Sequence, residues 1–189
     1  MEPSPKKDRV EITLNLAEDI AGLLYKKVKR AVNQKPKELK INLIGQGHVK
    51  QDSVLMLWEL LTNRDPATKL ITHARTSLYD GSLLLFLISD ERIARPFAFF
   101  QIDSVKRIKE EVCNEDCDSD DYFGLFGTVK NKILSPYKRD YLQIASIMNQ
   151  YIPVEDLSDR QMDLTELKDY GLLFTEEEEH NFQQLFKAA

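Results

Sequence analysis

At 189 residues, with 42% hydrophobic and 30% charged side chains, the chain has the make-up of an ordinary globular protein and length for one sizeable core, so a single domain over residues 1–189 is expected. A net charge of −5 gives no electrostatic reason to expect nucleic acid as a partner, because phosphate-backbone binding needs clustered Lys and Arg. The longest apolar run, Leu83 to Ile88, falls well short of the roughly 20 residues that a membrane-spanning helix needs, and "MEPSPKKDRVEITLNL" has no signal-like apolar stretch; the expectation is a cytoplasmic protein with no membrane partner and reduced cysteines.

Residues 1–9 read as a flexible lead-in. Val10 to Leu16 then alternates apolar and polar residues with period two, as a half-buried strand does. From Asp19 to Asn33, Ile20, Leu23, Leu24, Val28 and Val32 fall on one helical stripe, and Lys26, Lys27, Lys29 and Arg30 form its solvated face. Pro36 ends that helix, since the residue before a proline avoids helical geometry.

Leu39 to Ile44 is a second strand, running into Gly45, Gln46 and Gly47, where two glycines permit positive φ and close backbone approach. A helix follows, with Asp52 or Ser53 near its start and Val54, Leu57, Trp58 and Leu61 inward, ending before "NRDPAT". Lys69 to His73 is a third strand; an apolar helix starts at about Gly81, and a strand covers about Ala98 to Ile102. Alternating strands and helices argue for α/β layers with largely parallel pairing.

Beyond Ser104 the character turns helical and polar. Val105 to Val112 reads as an amphipathic helix, Tyr141 to Tyr151 as an apolar-striped one, and Leu164 to Tyr170 as a short helix stopped by Gly171. Between them, "CNEDCDSDDYFG" offers only Cys113 and Cys117, too few ligands for zinc without a nearby histidine. The run Asp116, Asp118, Asp120 imitates a calcium loop, but Asp121 stands where that loop has Gly and Gly127 where it has Glu. An exposed acidic loop, with no metal, is expected. No phosphate-binding glycine-lysine loop is present, so any ATP hydrolysis would belong to another chain.

The order of these pieces resembles the proteolytic subunit of the Clp protease and the wider ClpP/crotonase-like superfamily, over nearly the whole chain. "INLIGQGHV" stands where that family has "INSPGG-V", one residue longer; Thr72 precedes "ARTSLYDGSLLLFL" in place of the nucleophile turn; Asp90, Pro96 and Ala98 keep a family spacing; and "TELKDYGLL" matches a helix ending in "YGL" at Tyr170, Gly171 and Leu172. The resemblance implies an α/β ClpP/crotonase-like fold of repeated strand-helix units with a C-terminal helical segment. It further implies a handle-like helical segment over 104–152 and a homo-oligomer, in rings of six or seven, or Clp-like partner subunits. The acidic loop and "YFGLFG" depart from the family pattern, as does the aromatic cluster Tyr122, Phe123 and Phe126, which reads as core or as an interface patch.

The resemblance also assigns positions to the chemistry. The nucleophile falls at Asp80, or at Tyr79 if a gap is allowed, the histidine at Asp103, and the orienting acid at Glu155 or Asp156, while the Gly47 and Gly81 N–H groups match the oxyanion-stabilising positions. A Ser–His–Asp relay needs a hydroxyl to attack and an imidazole to take its proton near neutral pH. Asp103 is a poor imidazole, since an unperturbed carboxylate titrates at about 4. Serine peptidase chemistry is therefore not expected at this site.

Three other readings stay open. A shifted pair could form from Ser77 or Ser82 with His48 or His73. Asp80 and Asp103 could face each other as an acid–base or cation-holding pair. A crotonase-like site would polarise a thioester and need a coenzyme A pocket, which is not legible in the sequence, and no cofactor is expected. The leading expectation is a Clp-proteolytic-subunit-like protein without serine peptidase activity that acts through assembly or binding; the alternative is a peptidase or acyl hydrolase with a rearranged site.

Overall fold

The alternation over residues 10–16 becomes the edge strand of a parallel sheet. The computed structural model describes residues 8–16, 22–44, 50–102, 136–157, 160–172 and 175–176. The expected helix over 105–112, the acidic loop and the "YFGLFG" segment lie outside the described residues.

In chain order the elements are β1 (Arg9–Asn15), α1 (Leu23–Val32), β2 (Glu38–Ile44), α2 (Gln51–Thr62), β3 (Lys69–Ala74), β4 (Leu78–Tyr79), α3 (Gly81–Leu87), β5 (Glu91–Ala94), β6 (Phe100–Gln101), α4 (Pro136–Met148), α5 (Val154–Leu157), β7 (Gln161–Met162), α6 (Leu164–Asp169) and β8 (Thr175–Glu176). The larger sheet has the order β1-β2-β3-β5-β8, and every pair in it is parallel. Its central register aligns Ile12, Ile41, Thr72 and Arg92. The smaller sheet has the order β4-β6-β7, with β4 and β6 parallel and β7 antiparallel to β6.

The chain thus leaves the larger sheet after Ala74, forms β4 in the smaller sheet, turns through α3, and returns to the larger sheet at β5. That path sets the residue between β4 and α3 at the junction of the two sheets. Leu39, Ile41 and Leu43 of β2 are fully buried, as are Val54, Leu57 and Leu61 of α2, so strand period and helix period meet across one core. All of α3 is buried, and its Phe86 stacks on Phe100 of the smaller sheet with ring centroids 5.3 Å apart.

Two polar clamps hold this arrangement. Asp90 accepts from the Arg64 guanidinium at 2.6 Å and from the Leu70 N–H at 2.7 Å, while Arg64 also donates to Leu61 O and Thr68 O, tying the end of α2 to the start of β3 and the turn after α3. Ser89 Oγ donates to Phe86 O at 2.7 Å, satisfying a carbonyl at the end of α3, and Thr72 Oγ1 lies 2.6 Å from Ser89 Oγ, close enough to donate to it, and 3.3 Å from the same carbonyl.

Besides the short elements β4, α5, β7 and β8, which the sequence reading did not name, two differences bear on the longer elements. The passage from Ser89 to Pro96 contains a strand, β5, that periodicity misses because three of its four residues are charged or only partly buried. Its charges are accommodated at the surface and rim: Glu91 pairs with Lys69 at 2.6 Å, and Arg92 donates to Leu87 O. The helix expected from Tyr141 starts at Pro136, a residue whose fixed φ suits a first helical turn, and ends at Met148. By contrast α6 matches its expected span, closed at its start by reciprocal Asp163 and Glu166 bonds and at its end by Gly171 at φ 78°.

Candidate functional site

Asp80 occupies the sharp strand-to-helix turn between β4 and α3, at φ 46° and ψ −118°. A non-glycine residue there carries strain on the order of 1–3 kcal/mol, sustained only where the surroundings over-determine it. Those surroundings are visible. The Asp80 N–H donates to Gln101 O at 3.0 Å, and its carbonyl accepts from Leu83 N and Leu84 N. Ser82 Oγ accepts from Tyr79 N at 2.8 Å and donates to Tyr79 O at 2.6 Å, pinning the residue before the turn to the first turn of α3. Such a turn is the shape that presents a nucleophile above a sheet, beside the N–H of the following residue. Here the residue presented is an acid.

Asp80 is only 5% exposed, and Tyr141 of α4, itself 2% exposed, donates its hydroxyl to Asp80 Oδ1 at 2.9 Å. Behind the turn, Gly81 is required by close approach: a Cβ there would lie 2.6 Å from Val54 Cγ2 of α2. Val54 belongs to the inward stripe of α2 that Gln51 heads, and Gln51 is 4% exposed. Asp80 and Tyr141 thus pair two buried polar side chains between α3 and α4, and Gln51, three residues before Val54 on α2, is a further buried polar side chain. Sequence reading placed Tyr141 only on an apolar stripe, because a contact spanning 61 residues leaves no local pattern. The signal for Gln51 was a polar residue at the head of the Val54, Leu57, Leu61 stripe.

The other expected site residues divide. Ser77 is buried and accepts from the Phe99 N–H at 3.3 Å, and the Ser82 hydroxyl is engaged with Tyr79 as above, so both serines make scaffold contacts. His73 follows Thr72 on β3; Thr72 turns to Phe86 and Ser89 at the end of α3, which sends His73 to the opposite sheet face, where its Nδ1 lies 3.4 Å from Arg75 Nη1. The structure does not bring His73 to the α3 side, where Ser82 lies. Gly47, His48 and Asp103 lie outside the described residues, as do the side chains of Glu155 and Asp156, although the backbone of the latter two forms part of α5. Among the described residues no cluster of three or more His, Cys, Asp or Glu side chains is placed to hold a metal, and no helix is long and apolar enough to cross a membrane.

No protein-family model matches the sequence, and no curated protein matches it significantly. Solved structures do. A monofunctional enoyl CoA isomerase from M. smegmatis aligns over 98% of this chain and 80% of its own, with a TM-score of 0.58 at 14% identity. An enoyl-CoA hydratase/isomerase from Marinobacter aquaeolei aligns over 98% and 74%, with a TM-score of 0.58 at 13% identity. The ClpP protease catalytic domain from Plasmodium falciparum aligns over 90% and 85%, with a TM-score of 0.56 at 17% identity. The fold is the ClpP/crotonase fold that the order of motifs implied.

Proposed function

We propose that this is a ClpP/crotonase-fold protein that performs no serine peptidase chemistry and acts by binding or assembly. The observation that carries this reading is Asp80: the turn that would present a hydroxyl presents a buried carboxylate tied to Tyr141. A carboxylate there opposes the anion that two flanking N–H groups would stabilise, and the nearby Ser77 and Ser82 hydroxyls already serve the backbone. The protein is expected to resist labelling by a fluorophosphonate reagent and to leave fluorogenic peptides uncleaved. Covalent labelling at Ser77 or Ser82 overturns the reading. The same reading takes the protein as a homo-oligomer or as a partner of Clp-like subunits, with an assembly state, measured by light scattering, that Asp80→Ala leaves unchanged.

A second reading is favoured by the two enoyl-CoA enzymes among the structural neighbours. In it the Gly47 and Gly81 N–H groups polarise an acyl carbonyl, and Asp80, oriented by Tyr141, moves a proton. Acyl-thioester turnover that disappears in Asp80→Ala separates this reading from the first.

A further inference from the structure

Among the described residues the larger sheet ends on one side in β8, which has two residues, and on the other in β1, which has seven. β1 is its long open edge. The Asp8 carbonyl accepts from the Glu38 N–H of β2 at 3.0 Å, and successive residues of a strand turn their N–H and C=O to opposite sides. Val10, Ile12 and Leu14 therefore continue the ladder to β2, while Arg9, Glu11 and Thr13 turn their backbone groups outward. Lys27 Nζ donates to Thr13 O at 2.5 Å, which fits that direction and guards one end of the edge, as a lysine on an open strand does. Arg9 and Glu11 lie beyond that guard. Their side chains are 50% and 46% exposed and pair with each other at 3.3 Å.

We infer that β1 is a homodimerisation edge, on which residues 9–11 of two copies pair antiparallel about Val10 and join the two larger sheets into one. Charge selects this occupant and this register. A two-fold axis, the commonest symmetry of identical chains, sets a strand antiparallel to its own copy, and outward-turned residues must then face outward-turned ones. Pairing centred on Arg9 or on Glu11 would set like charges directly opposite, which destabilises a sheet. Pairing centred on Ile12 would need the Thr13 carbonyl that Lys27 already occupies. Pairing centred on Val10 sets Arg9 of each copy opposite Glu11 of the other, so that each such pair exchanges backbone N–H and C=O bonds and carries opposite charges. The inference rests on the reading that this chain acts by binding or assembly, and it names the surface.

Sedimentation equilibrium of the full chain at low ionic strength is the test. The wild-type protein should show a monomer–dimer equilibrium that shifts with concentration, because so short a contact dissociates on dilution. Arg9→Glu and Glu11→Arg each set like charges opposite one another, and each alone should raise Kd by about tenfold. Mixing the two variants restores opposite charges at every facing position and should bring the dimer back. Arg9→Pro removes an outward N–H at the first residue of an edge strand, where proline is tolerated, and should weaken the dimer while leaving the circular dichroism of the monomer unchanged. A wild-type protein that stays monomeric at every concentration overturns the inference, as does an assembly of any size that none of these variants weakens, or a mixture that does not recover. Should a charge variant fail to fold, hydrogen exchange of the wild type decides: protection of the Arg9 and Glu11 amides that grows with protein concentration supports the inference, and exchange independent of concentration ends it. Fluorophosphonate labelling of a serine would remove the underlying reading and leave the Kd series standing, whereas an assembly indifferent to Arg9→Glu ends this inference and leaves that reading intact.

Discussion

Asp80 is held in a backbone conformation that most side chains avoid, and the bond its side chain makes with Tyr141, 61 residues along the chain, is a feature local sequence could not supply. Removing the donor while keeping the ring isolates that bond. Tyr141→Phe removes one hydrogen bond to a buried carboxyl group, and a hydrogen bond contributes roughly 0.5–1.5 kcal/mol, more where a group is charged, so denaturant unfolding should show a loss of about 1 kcal/mol or more with little change in m-value. The effect should couple to Asp80: once Asp80→Asn has been made, the Tyr141→Phe step should cost clearly less. Equal costs in both backgrounds would mean that the hydroxyl acts elsewhere. That a turn before an apolar helix falls at Asp80 was legible, because the apolar run from Gly81 and the residues before it leave a local pattern. Its partner was not, because Tyr141 reads as one more apolar position on a helix until the fold brings it across.

At the scale of elements, the approach of α2 to α3 depends on one missing methyl group. Gly81→Ala would set a Cβ 2.6 Å from Val54 Cγ2 and 3.0 Å from Cγ1, and a β-branched valine in a helix has little rotamer freedom to yield. Overpacking of this kind costs typically about 1–3 kcal/mol, and Val54→Ala in the same chain should return part of it, read as a partial recovery of Tm over the single variant. The edge of the larger sheet makes a different, pH-dependent contribution. Asn42 of β2 donates to Glu11 of β1 at 2.8 Å, and that bond, opposed by desolvation and aided by Lys40, Arg9 and Arg75, holds the Glu11 carboxyl below the usual carboxylate range. A carboxyl depressed by folding stabilises the protein above its unfolded value, about 4.3, and loses that contribution as the pH falls through the folded value. Glu11→Gln should therefore melt slightly below the wild type at pH 7, by an amount kept small by the half-exposed position, and the difference should narrow as the pH falls below the unfolded value of about 4.3 and on through the lower folded one. A gap unchanged between pH 7 and 3 would show that the carboxylate charge is irrelevant there.

Across the whole molecule, the order of strands and helices up to residue 102 was largely readable, since parallel strands buried on both faces and striped helices both leave strong patterns. The division into two sheets was not. Two-residue strands such as β4, β6 and β7 are too short to show a period, and their pairing is decided by where α3 delivers the chain. That division has a consequence for stability. The buried apolar residues of both sheets, of α1 to α3 and of α4 to α6 form one contiguous cluster among the described residues, and the chain passes between the sheets both before and after α3. Neither sheet can lose its packing without exposing α3, whose seven residues are all buried. Unfolding should accordingly be one transition, with far-ultraviolet circular dichroism and the fluorescence of Trp58 on α2 giving coincident midpoints. The test is to perturb the two halves separately. Asp90→Ala weakens the clamp at the start of β3 in the larger sheet, and Tyr141→Phe weakens the turn where the chain leaves the smaller one. Each variant should shift both signals together to a lower midpoint, because a core shared across the sheets transmits the loss from either side. Midpoints that separate in one variant but not in the other would mean that the two sheets melt independently, and that α3 does not join them energetically.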